Sequence, residues 1–590
     1  MRRFFILPLV LAAVPLLAGC KHKDTPFLPE PSTHYVLEGL GEDKETQSYL
    51  QSVMDSRLAT PLDVTDQAQM DSAVSARARG LQTDLLRAMK ARGYYGAKVS
   101  FTPTDNSTQG TYSVTPGPLY TIKSIAVTPK GFSALGEKLP LHAGDPLRAK
   151  DVLLAEAELV KMIEKDRCAF SLQVTHTALL QAGKTEAALT FSVEAGPESV
   201  FGPVSFDGLD SVHQAYLRKL VPWKEGDCFK RSKLDAFRQT LLSGGLFSVA
   251  NITAQAPAAG SNSAPITVSV KESALRTVRA GLSYYTDAGP GAIFGWTHRN
   301  FFGNAEELDV SLNLSSLEQS LDATLDKPFF LRKDQSLSFN ASLSRENTDA
   351  YDSFGVKSGF RIKRKFTKFL SGAAGTDLNL THISEDSGGN DTFGLISVPV
   401  SVMFDNRDDT LDPHKGAEAR ASFEPFFDAF GASSPFFKTI VSGSTYYAAG
   451  RRTVFAVRGK VGSIGGTTSA DIPASERFYA GGGGSVRGFG YQDIGPFEDG
   501  NPLGGRSLVE MSGEVRFKMS KTIGAVAFVD AGNVSETIAP SVSDLSVGAG
   551  LGLRYYTGFG PVRFDVATPL SGDEHAQRQV QVYISIGQAF

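Results

Sequence analysis

Long apolar runs are almost missing from this chain. Only Phe4 to Leu17 is continuous, and it is too short to span a bilayer as a helix. No other stretch approaches the length a transmembrane helix needs. Cysteine is scarce, at three in 590 residues, which excludes a disulfide-dense scaffold. The cysteines form no Cys-x-x-Cys pair and the nine histidines form no cluster, so no metal site and no cofactor are expected. Gly-x-Ser-x-Gly and His-Glu-x-x-His are both absent, and the chain does not read as an enzyme. An excess of one charge is missing too. With 59 basic against 63 acidic residues the net charge is −4, so a nucleic-acid partner is not expected.

What is abundant is glycine, 59 residues, in a serine-rich texture with 10% aromatics, a composition suited to many strands and turns. The first residues read as a targeting segment. Arg2 and Arg3 precede the apolar stretch, which runs into Leu17-Ala18-Gly19-Cys20. That ending resembles a bacterial lipobox, so residues 1–19 are expected to be a lipoprotein-type signal peptide, Cys20 the lipidated residue and residues 20–33 a linker. An ordinary signal peptide with a chance cysteine is the alternative. Cys168 and Cys228 remain. In an oxidising compartment they could pair, or lie buried as two free thiols.

Residues 34–273 repeat. Val114-Thr115-Pro116-Gly117-Pro118 and Val193-Glu194-Ala195-Gly196-Pro197 close successive segments, and Val270-Lys271-Glu272 closes a third. Each ending follows an alternating run, such as Leu189, Phe191 and Val193 or Ile266, Val268 and Val270, which reads as a strand. Upstream in each unit a helix is expected: Leu81 to Lys90, Val152 to Ile163 and Leu234 to Leu242. Leu58 to Ala76 fits the pattern less cleanly. The boundaries read as 34–118, 119–197 and 198–273, each strand, helix, helix, strand, strand. This arrangement resembles the POTRA domain. In that family an exposed sheet edge is thought to accept segments of other chains as added strands.

From residue 274 the texture changes. Leu308, Val310, Leu312 and Leu314 alternate with Asp309, Ser311, Asn313 and Ser315. Val562, Phe564 and Val566 alternate with Arg563 and Asp565, and Val580, Val582, Ile584 and Ile586 with Gln581, Tyr583 and Ser585. One apolar and one polar face, over segments of about ten residues, predict an antiparallel transmembrane β-barrel across 274–590, with about sixteen strands at ~20 residues per strand and connection. A soluble β-sandwich is the competing reading. The terminal Phe590 resembles the C-terminal signal of outer-membrane barrels.

The most specific segment is Arg477-Phe478-Tyr479-Ala480-Gly481-Gly482-Gly483-Gly484-Ser485-Val486-Arg487-Gly488-Phe489. It resembles the inward-folded loop of the BamA/TamA superfamily, whose core is Val-Arg-Gly-Phe/Tyr. Asp405-Asn406-Arg407-Asp408-Asp409 with Asp412-Pro413 and Gly416 resembles the family's mid-barrel turn. Phe528 to Asn533, Gly548 to Tyr555 and Gly560 to Asp565 resemble its late strands. The four glycines are not followed by Gly-Lys-Ser/Thr, so a phosphate-binding loop is rejected. The acids at 405–412 lack the spacing of a calcium loop and read as turn residues.

The resemblance implies that Val486, Arg487, Gly488 and Phe489 form a lumen loop, with Arg487 paired to an acid on the inner wall, and Asp530 is the residue expected to serve. Arginine can clamp a carboxylate through two parallel bonds, which lysine cannot reproduce. Three repeats and this length are most like the TamA branch, which implies assembly or insertion of autotransporters and other outer-membrane proteins. The partners implied are a TamB-like periplasmic protein anchored in the inner membrane, unfolded outer-membrane clients and outer-membrane lipid, with the repeats in the periplasm. A weak seam is implied between Arg276 to Tyr285 and Val580 to Phe590. A two-partner secretion pore for one dedicated substrate is the alternative.

Overall fold

The computed structural model describes residues 34–41, 43–60, 62, 64, 67–105, 109–385, 389–558, 560–571 and 580–586. The signal segment, Cys20 and Phe590 lie outside them. By its contacts the chain forms two compact units. The first runs to Pro203 and takes in Glu225–Arg231 and Gln255–Pro265; the second holds Val204–Lys224, Ser232–Ala254 and Ile266–Phe590.

Three small sheets come first. In the first, His34–Glu38 runs parallel to the central strand Gln109–Thr115, which pairs antiparallel with Lys98–Asp105. Helices Lys44–Leu58 and Gln67–Ala91 pack on it. Leu81, Leu85 and Met89 fall one turn apart, so one stripe of the second helix is buried against Tyr112 and Val114 of the central strand. The stretch that fitted the repeat poorly is accounted for here: Leu58 ends one helix and Ala76 lies inside the next. The second sheet has the same order, with Thr121–Thr128 parallel to Glu186–Ala195 and Leu172–Leu180 antiparallel to it. Its long helix, Ala149–Asp166, buries Val152, Ala155, Leu159 and Ile163. The other helix is a 3-10 segment, Lys130–Lys138, where two helices of α type were expected. Gly131 and Gly136 inside it disfavour an α-helix. The third sheet orders Val200–Asp207, Ser263–Glu272 and Phe247–Ala254, with helices Gln214–Leu220 and Arg231–Ser243.

From Arg276 the chain closes an antiparallel barrel. The eighth stave is broken into Gly389–Ser397 and Val400–Asp405, which share the same two neighbouring strands, so the staves number sixteen. The break falls at Val398-Pro399, where proline has no N–H to give the ladder. Closure rules out the sandwich. Side chains alternate as the sequence pattern requires. On Ser507–Lys518, Glu510, Ser512, Glu514 and Arg516 are buried inside, while Met511, Val515 and Phe517 are exposed outside. Apolar residues such as Val278, Leu282, Leu312, Leu314, Leu343, Phe360 and Leu551 form the exposed outer surface. An outer face of this kind suits hydrocarbon, because closure satisfies every interior strand's backbone. No described helix is long and apolar enough to cross a membrane.

Candidate functional site: the lumen loop and its anchor

Between strands Thr453–Gly465 and Ser507–Lys518 the chain makes a long excursion that packs inside the barrel. Val486 and Phe489 are buried with Ile472, Phe478 and Ile494 of the same loop, against Ile383, Leu395, Phe426 and Phe436 of the wall. The tight path needs glycine at Gly488, whose φ is +102° and where a Cβ would lie 2.9 Å from the Thr568 carbonyl. It also needs a smooth wall. A Cβ on Gly548 would lie 2.0 Å from the Arg487 carbonyl oxygen. That glycine is where the loop lies against the strand.

Arg487 is 2% exposed. Its Nε lies 2.6 Å from Asp530 Oδ2 and its Nη2 3.0 Å from Oδ1, a two-bond clamp, and its backbone N–H donates to Oδ2 at 3.1 Å. The guanidinium carbon sits 3.5 Å from the Phe528 ring centroid. Two further acids join it. Nη1 donates to Asp565 Oδ2 at 3.1 Å and lies 2.8 Å from Glu514 Oε1, an ion pair without hydrogen-bond alignment. These carboxylates stand on three strands, Ser507–Lys518, Ile523–Ser535 and Gly560–Ser571. Arg516 pairs with Glu514 at 2.8 Å; Arg554 and Arg563 pair with Asp565. All seven charged side chains are buried, and a buried charge is tolerable only when paired and hydrogen-bonded.

Of the residues named from the motif, the structure brings Arg487 and Asp530 together and buries Val486 and Phe489 beside them. Glu514, Asp565, Arg516, Arg554 and Arg563 were not named as loop partners. The alternation held a signal for them: charged residues at every second position of strands whose other face is apolar. Tyr583 was also missed. Its hydroxyl accepts the Gly488 N–H at 3.1 Å, and its ring meets Tyr285 edge-on at 5.7 Å. Those two tyrosines belong to the last and first strands. Among the described residues the pairing there is Tyr284 with Ile584 and Tyr285 with Tyr583.

The other named residues are placed as follows. Asp408 and Asp409 cap a turn, Asp408 accepting from His414 and Lys415 N–H and Asp409 from Leu411 and Asp412 N–H. Cys168 and Cys228 are joined by a disulfide with their Cα atoms 5.1 Å apart. Beside it Phe229 is buried between Phe170 and Phe201, at 5.3 and 5.0 Å between ring centroids.

Comparisons with known proteins agree with this architecture. Residues 300–590 match the Omp85 superfamily domain and residues 199–273 a POTRA repeat of the surface antigen type. The chain is 26% identical over 386 residues to the outer membrane protein assembly factor BamA of Nitratidesulfovibrio vulgaris, covering 62% of this chain and 48% of that protein. It is 24% identical over 380 residues to a SAM50-like protein of Schizosaccharomyces pombe, covering 58% and 79%. A third relative is the chloroplastic outer envelope protein 80 of Arabidopsis thaliana, 24% identical over 406 residues, covering 62% and 53%. Two of these three matches therefore span only about half of the relative. Among solved structures, BamA from Haemophilus ducreyi lacking POTRA domains 1–3 superposes with a TM-score of 0.68 at 18% identity, covering 79% of this chain and all of that one. That likeness is one of fold.

Proposed function

Because the chain belongs to the Omp85 superfamily, with POTRA repeats ahead of its barrel, we propose that it is an outer-membrane protein assembly factor without a catalytic step. The observation that carries this reading is the glycine-rich loop bound inside the barrel by one arginine on three wall carboxylates. A loop seated this way braces the strands nearest the closure, reaching the last strand through the Gly488 N–H on Tyr583, and the pairing of the first strand with the last is the edge to be shared with a client. Unpaired N–H and C=O groups on a parted edge would template an incoming strand, and lipid burial of its apolar face would drive release.

The finer assignment is bacterial: a barrel in the cell outer membrane, repeats in the periplasm and Cys20 carrying lipid. Three repeats favour a TamA-type factor with a TamB-like partner, acting on autotransporters among other clients. The domain boundaries are 34–118, 119–197, 198–273 and 274–590, and the Cys168–Cys228 bridge ties the second repeat to the third. The test is depletion of the protein followed by quantitative outer-membrane proteomics with other assembly machinery intact. Loss of a set of barrel proteins is the expected result. Loss of a single exported protein, with the membrane otherwise unchanged, would replace this reading with a dedicated secretion pore.

A further inference from the structure

At the start of the first barrel strand a cavity of about 680 Å³ opens to the surface. Its walls carry three basic side chains, His213, Arg276 and His298, and no carboxylate. The Glu272 carboxylate bonded to Ser211 is already committed to the N–H groups of Asp210, Ser211 and Val212. Phe301 and Phe302 line the same cavity and are 43% and 57% exposed.

Register places this cavity relative to the outer face of the barrel. Arg276 pairs with His298, Val278 with Trp296 and Ala280 with Phe294. Every second residue shares a face, so Arg276 and His298 lie on the face of Val278, Leu282, Phe294 and Trp296, beyond its apolar end. Val278 and Leu282 are 78% and 76% exposed, the exposure of a surface made for hydrocarbon. The basic pair therefore stands where an apolar outer face gives way to water. His298 Nδ1 accepts the Asn300 N–H at 3.3 Å, which leaves Nε2 as the protonated nitrogen, a donor. His213 is held by its own N–H to the Gly303 carbonyl at 2.7 Å, and its ring occupies the space a Gly303 side chain would need.

We propose that this cavity binds the phosphate of a membrane phospholipid, with preference for an anionic headgroup. Arg276, His298 and His213 face the phosphate oxygens, Phe301 and Phe302 seat at the interface, and the acyl chains lie along Val278, Leu282, Phe294 and Trp296. Arginine's fork suits phosphate oxygens, and aromatics favour the interfacial level. The site adjoins the first strand, so it would order lipid beside the barrel's closure. This inference rests on the lipid-facing reading of the outer surface.

The test uses tryptophan fluorescence. The chain has two tryptophans, so Trp223→Phe leaves Trp296 alone. The full-length variant is placed in phosphatidylcholine vesicles containing a minor fraction of dibrominated lipid, either phosphatidylglycerol or phosphatidylcholine. Brominated phosphatidylglycerol should be enriched at Trp296 by about fivefold, the effect expected of one arginine near an anionic surface. Arg276→Gln together with His298→Gln should return the two lipids to equal quenching, with heat-modifiable gel mobility showing that the barrel is still closed. Equal quenching in the parent protein overturns the proposal while leaving the membrane reading intact. No quenching by either lipid overturns the membrane reading itself. Loss of the enrichment in inorganic phosphate, but not in chloride of equal ionic strength, assigns the site to a soluble phosphate and overturns the lipid assignment.

Discussion

Replacing Arg487 by alanine isolates the anchor of the loop. The buried cluster holds four guanidinium groups, Arg487, Arg516, Arg554 and Arg563, against three carboxylates, Glu514, Asp530 and Asp565. After the substitution Glu514 keeps Arg516, and Asp565 keeps Arg554 and Arg563. Asp530 keeps the Ser512 hydroxyl and the backbone N–H of residue 487, neither of them a cation. One buried carboxylate is thereby left without a cation, at a cost of roughly 3–5 kcal/mol. Adding Asp530→Ala removes that orphan, so the double variant should recover part of the loss, a coupling of roughly 1–3 kcal/mol. Arg487→Lys keeps the charge but cannot span both Asp530 oxygens, and should fall between parent and alanine. The assay is urea unfolding in detergent micelles, paired with limited proteolysis at Gly481 to Gly484. An unchanged midpoint for Arg487→Ala, or strictly additive single variants, would refute the reasoning.

Further outcomes follow from other contacts. Gly548→Ala should expose the loop to protease, since its Cβ would meet the Arg487 carbonyl oxygen at 2.0 Å, whereas Gly513→Ala, with open space around it, should not. Burial alone would raise the Glu272 carboxyl, but the Ser211 hydroxyl and the N–H groups of Val212, Ser211 and Asp210 together hold it below the usual glutamate range. Its contribution to stability is therefore present at neutral pH and is lost as pH falls below about 4.3 and through the folded value. Amide exchange at Asp210 to Val212 should accelerate in that acid window, and Glu272→Gln should abolish the pH dependence. Cys168 and Cys228 enclose a sequence separation of 60 residues, so Cys228→Ser should destabilise the fold around the bridge by up to about 4 kcal/mol, read by thermal unfolding. Two alkylatable thiols in unreduced protein would refute the bridge.

Much of the fold was legible because period and polarity act locally. Leu308, Val310, Leu312 and Leu314 against Asp309, Ser311 and Asn313 announce a strand with one wet and one apolar face without any knowledge of its neighbours. Leu81, Leu85 and Met89 announce a buried helical stripe in the same way. The 3-10 segment at Lys130–Lys138 was harder to see, because its glycines weaken an α-helix without specifying what replaces it. Arg487 was legible as a motif residue and Asp530 as one acid of the right kind on a late strand. Glu514 and Asp565 were not, because a strand pattern shows that a side chain faces the lumen but not its height there.

The amino-acid sequence by itself determined the alternation of a polar and an apolar face along the barrel strands and the recurrence of three repeats ahead of them, since each depends on spacing along one chain. Only the tertiary structure decided what meets across strands. Closure and register bring Glu514, Asp530 and Asp565 to one point from three strands. They also set Arg276 beside His298 at the end of an apolar face, and Tyr583 against both Tyr285 and the loop. Those meetings depend on relative strand shift, which no alternation encodes, because sliding a strand by two residues preserves every inside and outside assignment while changing every partner.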